Sequence, residues 1–285
     1  MGDRGAPEGF SCHPRRMRCT SYSGPSVLVF AALGACTPTP VSMNDAAIAM
    51  GDSGSDTGAP MMCAPVAPSC QDQQISALDL LATVSTRSVT EEGTTSGVHL
   101  SHIDSMAGGV MPTESFVYVR FTDAGLVRVD VSDQDALAST GWDLAVRRFV
   151  MRLNGGVSGP SCVQGARLPN DPATGMPPTF DSVTSVPAGL AYHSEVYMTD
   201  GACTVVRDGG IGAPITVLSS FWSYSSCVAM THNVYILALA NGRHVKLEVV
   251  GYYNPVDQAA CDATGAMPTT SGSSGNIRIQ WAYLD

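Results

Sequence analysis

The sequence predicts an all-β fold, a single antiparallel β domain with long Gly- and Pro-rich loops. Three observations carry this. Charged residues make up 14% of the chain, while Gly (29) and Pro (18) are plentiful. Few charges and many turn-formers describe a loop-rich β domain. Runs rich in Val, Ile, Tyr and Phe recur after residue 114, each bounded by turn residues. No long stretch carries the 3.6-residue period of an amphipathic helix. The formal net charge of −10, with few aromatic residues, gives no electrostatic footprint for nucleic acid. That class of partner is set aside.

Taken in order, the chain begins with a targeting segment. Residues 15–36 read RRMRCTSYSGPSVLVFAALGAC. Arg15, Arg16 and Arg18 precede a short apolar run from Val27 to Leu33, then Gly34, Ala35 and Cys36. This is the basic, apolar and small-residue order of a secretory signal. The run is well short of the ~20 residues that span a bilayer. Met17 is an alternative start that leaves the same mature chain. Leu33-Gly34-Ala35-Cys36 resembles the lipobox of bacterial lipoproteins. The resemblance implies cleavage after Ala35, lipidation of Cys36 and stable anchoring by several acyl chains. Thr37, where an Asp would resemble a retention signal, implies the outer membrane at the cell surface.

The organisation that follows is a lipoprotein signal peptide over 1–35, lipidated Cys36 with a flexible linker over 36–75, and a β domain over 76–285. The linker is rich in Pro, Gly, Ser, Asp and Ala. Its DSGSDTG run spaces carboxylates like a calcium loop but lacks the bidentate Glu, so it reads as solvated chain. Of nine cysteines, three lie at or before residue 36. The other six, in an exported chain, read as up to three disulfides whose connectivity spacing does not settle. Cys63 and Cys70 are close enough to close a local loop. No CxxC pair offers a zinc site, and no metal centre is expected.

Within the domain, QQISALDLLATV (73–84) is the one helix candidate. SFVYVRF (115–121), LVRVDV (126–131), LAYHSEVYM (190–198), CTVVRD (203–208), APITVLSSFW (213–222) and NIRIQWAYL (276–284) read as strands. The last places Ile277, Ile279 and Trp281 on one face. Asn241-Gly242 between two alternating runs predicts a hairpin. With a two-residue loop, Val234, Ile236 and Ala238 share the core face with Val245, Leu247 and Val249. Residues 154–188 and 255–275 read as long irregular loops.

The segment GWDLAVRRFVMRLNGGVSG (141–159) joins a Trp-Asp pair to Asn-Gly-Gly. Read as one strand, its apolar parity switches near Arg147 and Arg148, so it carries a bulge or is covered on both faces. Asp143 is placed to bond Arg147 or a neighbouring backbone. Trp142 reads as core, and Asn154, Gly155 and Gly156 as a sharp turn. One carboxylate and two Arg make no catalytic set. G-x-S-x-G, HExxH, P-loop and GxGxxG motifs are absent, so no enzyme and no catalytic residue is expected.

This segment resembles the signature of the HmuY family of bacterial surface lipoproteins. SFVYVRFTDAGLVRV (115–129), NGRHVKLEVVGYYN (241–254) and GNIRIQWAYLD (275–285) are similar to other parts of that family, in the same order. The likeness spans roughly residues 110–285, with gaps at the two long loops. It implies an all-β fold, haem as cofactor held by two His or Met side chains, and an outer-membrane transporter as partner. The signature does not contain those donors. His193 and His232, with Met198 and Met230 nearby as soft donors, are the candidates. His99 and His102 point to opposite faces if they lie on a strand. The alternative expectation is a surface lipoprotein on the same fold with a different ligand, or with a structural or adhesive role.

Overall fold

The computed structural model describes residues 64–106, 112–198, 202–207 and 213–284. Cys36 and the segments expected to be a signal peptide and most of a linker lie outside them. Helix α1 spans Gln71–Ala77. The strands are β1 (Val89–Thr95), β2 (Val98–Asp104), β3 (Val117–Thr122), β4 (Gly125–Val129), β5 (Leu144–Arg147), β6 (Val150–Leu153), β7 (Gln164–Arg167), β8 (Trp222–Tyr224), β9 (Val228–Met230), β10 (Val234–Ala238), β11 (His244–Gly251) and β12 (Asn276–Leu284). Helix α2 (Asp133–Ala136) precedes β5, and α3 (Pro255–Thr264) lies between β11 and β12. The strands form a six-stranded sheet in the order β1-β2-β12-β11-β10-β7, a four-stranded sheet β4-β3-β5-β6 and a β8-β9 pair. All named pairings are antiparallel, as the sequence predicts for an all-β domain.

The two larger sheets face each other across the main core. Val117, Val119, Leu144, Val146, Met151 and Leu153 meet Tyr235, Leu237, Leu247, Ile277, Ile279 and Trp281 there. The outer face of the four-stranded sheet is also covered: Tyr118, Ala145 and Trp142 pack with Leu78, Leu80 and Leu137. The outer face of the six-stranded sheet is partly covered by Leu168, Phe180 and Val183, which pack on Val234, Ile236 and Ala282.

Covered outer faces explain two departures from expectation. The 241–242 hairpin forms, but with a three-residue loop. Leu239 and Arg243 are joined by the Leu239 N–H to Arg243 C=O bond, and Gly242 has φ 83°. This is the longer turn closed by a Gly in the left-handed region. The register therefore shifts by one, with Tyr235 opposite Leu247 and Leu237 opposite Val245. Val234 and Ile236 move to the outer face, the reversal that a one-residue slip requires. The 141–159 segment is not one bulged strand. It is the hairpin β5–β6, turning at Arg148, which adopts φ 54°. That turn brings Leu144 opposite Leu153 and Val146 opposite Met151, so all four reach one core.

Other expectations change as well. The 190–198, 203–208 and 213–222 runs make only isolated bridges before β8: Gly165 with His193, Met198 with Val205, and Arg207 with Pro214. Cys70 pairs with Cys203, not with Cys63, and Cys227 pairs with Cys261. Cys162 is disulfide-bonded too. The 255–275 loop contains α3, capped by Asn254, which accepts from the Asp257 N–H, with Pro255 opening the helix and left-handed Gly265 ending it. The predicted 73–84 helix is confined to α1, where Gln74 is fully buried.

Candidate functional site

The Trp-Asp to Asn-Gly-Gly segment builds the scaffold beside the site. Trp142 is fully buried and its indole N–H donates to the Ala136 carbonyl at 3.1 Å. Asp143 does not pair with Arg147; its carboxylate accepts the Phe121 N–H at 2.9 Å, and burial raises its pKa. Asn154 donates to the Trp142 and Ser139 carbonyls and accepts from the Ser161 N–H. Gly156 takes φ 60°, and a Cβ there would lie 2.2 Å from the Glu195 carbonyl oxygen. The turn thus brings the chain hard against residues 194–195, which only glycine permits.

Behind this turn lies a buried polar centre. Asp133 accepts from the Phe116 N–H, the Tyr118 hydroxyl, the Leu81 N–H and the Arg147 guanidinium. Arg152, fully buried, donates to the Tyr118 hydroxyl at 2.7 Å and to Ser158. The guanidinium carbons of Arg147 and Arg152 sit 4.1 and 4.5 Å from the centre of the Phe116 ring. Glu195 is also fully buried. One of its oxygens accepts the Leu153 N–H and the other the Val217 N–H, each at 3.0 Å. It thereby caps the free edge of β6.

His193 is exposed and bridges Gly165 on the outer side of β7. It lines a cleft of about 390 Å³ with Arg167, Val196, Ile215, Thr216 and Val217. Val196 is 72% exposed and Ile215 39% exposed, so large apolar side chains stand open to solvent beside the imidazole. The other three candidates lie elsewhere. Met198 is buried with Trp142 and Tyr118, and Met230 is buried in the main core. His232 holds Glu248 at 2.7 Å, and that bond raises its pKa.

Pairing shows how far apart the two histidines sit. Tyr235 is opposite Arg167, and His193 is opposite Gly165. His232 lies three residues before Tyr235, Gly165 two before Arg167, and the strands are antiparallel. The offset is five residues, roughly 16 Å along the strands at about 3.3 Å each. One ion cannot join them in this arrangement. A second cleft of about 660 Å³, lined by Val98, Leu100, Val250, Gln280 and Asp181, touches His99. The His99 ring is stacked on Trp281 at 4.3 Å in the core. His102, on the opposite face of β2, contacts Asn276. Among the described residues no group of three or more His, Cys, Asp or Glu side chains is arranged to hold a metal ion.

Sequence reasoning missed Glu195, Asp133 and Arg152. A charged residue reads as solvated unless its surroundings are known to be apolar, and only the flanking Met151 and Leu153 hinted at burial for Arg152.

Burial raises the Glu195 pKa to about 7, against 4.5 ordinarily, opposed by the Leu153 and Val217 N–H groups and by Arg152. An acid with a raised folded-state pKa contributes stability below its unfolded value and loses it as pH rises through the folded value. At about 1.36 kcal/mol per unit, Glu195 should remove about 3 kcal/mol between pH 4.5 and 7. Urea unfolding of wild type and Glu195→Gln at pH 5 and 7.5 checks this: the stability gap between them should change by about 2.5 kcal/mol, the part of the loss that falls above pH 5. A gap independent of pH would show that Glu195 does not titrate there.

A family model described as HmuY protein matches residues 112–269, more than half of the chain. No curated protein matches significantly. Among solved structures, a Bacteroides fragilis protein described as a lipoprotein has 15% identity and a TM-score of 0.41, covering 68% of this chain and 94% of that one. An HmuY-like haem-binding protein, so described, from Bacteroides vulgatus has 17% identity and a TM-score of 0.39, covering 68% and 96%. The apo HmuY analogue of Tannerella forsythia has 15% identity and a TM-score of 0.37, covering 70% and 97%.

Proposed function

The chain belongs to the HmuY family, and from that premise we propose that it is a lipid-anchored binding protein of the outer membrane that takes a tetrapyrrole of the haem class in the His193 cleft. One observation supports this reading: an exposed imidazole and an exposed cation, Arg167, line one cleft together with Val196, Ile215 and Val217. The cleft volume lies in the range of about 300–1,000 Å³ for small-molecule sites. His193 would supply the axial nitrogen. Val196, Ile215 and Val217 would pack on the macrocycle, and Arg167 would meet its carboxylates. Bound haem would bring an iron centre to be carried, and the protein's part is to hold and shield it. An outer-membrane transporter would be the recipient.

Ferric haem titration with visible spectra tests this. Wild type should give a saturable Soret band at one haem per chain. His193→Ala should weaken binding at least tenfold, about 1.4 kcal/mol. His232→Ala, Met198→Leu and Met230→Leu should leave it unchanged. Equal binding by His193→Ala would remove this residue as the ligand. The anchor has its own test: Cys36→Ser should move the protein from the membrane fraction to the soluble one.

A second reading is a surface lipoprotein on the same fold with a different ligand, or with a structural or adhesive role. It is favoured by the scatter of the four donors, since Met198 and Met230 pack in core clusters, His232 pairs with Glu248, and none of the three lines the cleft. A broad, non-saturating haem spectrum would select it.

A further inference from the structure

We propose that Asn241 is a self-modifying site: its side-chain amide cyclises onto the Gly242 nitrogen and opens with water to aspartate or isoaspartate, so the tip of the β10–β11 hairpin acquires a carboxylate with time. The inference does not depend on what the His193 cleft holds.

The chain contains two Asn-Gly pairs, Asn154-Gly155 and Asn241-Gly242. A following glycine puts no Cβ in the way of the attacking nitrogen. The fold treats the two pairs in opposite ways. Asn241 is exposed, in the three-residue loop where Gly242 takes φ 83°. Its Oδ1 accepts the Arg243 N–H at 3.0 Å, and its amide nitrogen has no hydrogen-bond partner among the described residues. A donor on that oxygen stabilises the negative charge that develops there when Cγ is attacked, while nothing holds the leaving nitrogen. The Gly242 N–H donates to the Leu239 carbonyl at 2.9 Å. That bond must break first, and at an exposed hairpin tip it opens at small cost.

Asn154 has the same neighbour and none of this freedom. It is fully buried. Its amide nitrogen donates to the Ser139 and Trp142 carbonyls at 3.0 and 2.8 Å, so departure of that nitrogen breaks two hydrogen bonds. A Cβ on Gly155 would lie 2.2 Å from the Val163 carbonyl oxygen, so the backbone that would have to swing is hemmed in.

The step balances without an oxidant or a cofactor. The Gly242 nitrogen forms a bond to Cγ of Asn241, the Cγ–Nδ2 bond breaks, and Nδ2 leaves as ammonia with the Gly242 amide proton. Water then opens the five-membered imide at either carbonyl. One opening gives aspartate in the normal linkage, the other isoaspartate, whose backbone runs through the former side chain. One water is consumed for each ammonia released. The place of the product gives it consequence. Arg243 pairs with Asp123 at 2.7 Å and its guanidinium lies 3.2 Å from the centre of the Tyr283 ring, so it joins the β10–β11 tip to the β3–β4 turn. A carboxylate at 241 adds a negative charge next to the residue that makes this link. Isoaspartate also lengthens the three-residue loop by one backbone carbon.

The test is to age the folded mature protein in mildly alkaline buffer, stop the reaction with acid, reduce it and digest it with trypsin. Cleavage after Arg152, Arg167, Arg207 and Arg243 places Asn154 in the 153–167 peptide and Asn241 in the 208–243 peptide. The 208–243 peptide should gain the mass of an amide-to-acid change, located at 241 by fragmentation, as two separable products of equal mass. In the folded protein it should convert at least about tenfold faster than the 153–167 peptide, because opening a buried site adds to the barrier. In urea the two should convert at similar rates, since burial no longer separates them. Asn241→Gln, which would have to close a larger ring, should abolish the change. Equal conversion of both peptides in the folded protein overturns the proposal. So does an unchanged 208–243 peptide in a folded sample whose urea control converts, and so does a single product in the normal linkage, which would mean direct hydrolysis without the imide.

Discussion

Replacing Asp133 by Ala is expected to cost about 3–5 kcal/mol, the range for removing one partner of a buried ion pair. The reason lies in the number of donors it serves. One oxygen accepts the Phe116 N–H and the Tyr118 hydroxyl, both at 2.8 Å. The other accepts the Leu81 N–H at 2.9 Å and the Arg147 guanidinium at 3.3 Å. Asp133 is wholly buried and Arg147 is 9% exposed, so solvent cannot readily replace the lost acceptor. Arg147 also donates to the Asp79 and Leu78 carbonyls, which holds the cation in place after its counter-charge is gone. For a domain of this size the loss corresponds to a fall in Tm of roughly 10 °C. Urea and thermal unfolding measure it directly. The double variant with Arg147→Met should be less destabilised than the sum of the two single changes, because the stranded cation is removed together with its partner. A loss below about 1 kcal/mol would mean that water or a rotated side chain satisfies the donors.

What the sequence revealed follows from what each element buries. The terminal strand was legible because β12 puts Ile277, Ile279 and Trp281 on the core face and leaves Arg278 and Gln280 opposite. The β10–β11 hairpin was legible in place but not in register. Alternation fixes register only when one face is wet. Here Val234 and Ile236 are as buried as Tyr235 and Leu237, so both registers bury apolar residues. Helix α3 gave no apolar stripe because its buried residues are Asp257, Gln258 and Cys261. Gln258 accepts from the Tyr252 and Tyr253 N–H groups and donates to the Val228 carbonyl, whereas in one dimension its amide reads as solvated. The HmuY likeness was carried by Trp142, Asp143, Asn154 and the two glycines, all of which serve the scaffold. The cleft is built instead from bridges among residues 190–217. Such irregular contacts carry no period, so His193 was identified as a candidate donor while Glu195 beneath it was not.

Removing the Cys70–Cys203 disulfide is expected to destabilise the protein more than removing Cys227–Cys261. The first bond closes a separation of 133 residues and the second one of 34. A cross-link restricts the unfolded chain in proportion to the logarithm of the loop it closes, which gives about 5 kcal/mol for the longer loop and about 4 kcal/mol for the shorter. The longer one also has more to hold in the native state. Cys70 immediately precedes α1, where Gln74 accepts from the Tyr197 hydroxyl at 3.1 Å. Beyond Cys203, Arg207 donates to the Ala77 carbonyl. The bond therefore fastens α1 to the region that carries His193, Glu195 and Tyr197. Paired Cys→Ala variants, unfolded in urea without reductant, give the two losses side by side. Loss of the Cys70–Cys203 bond should in addition speed proteolytic cutting within α1, while loss of Cys227–Cys261 should speed cutting within α3. The reverse order of stabilities would mean that packing around Cys227 and Cys261, both buried at 2% exposure or less, outweighs chain entropy in this fold.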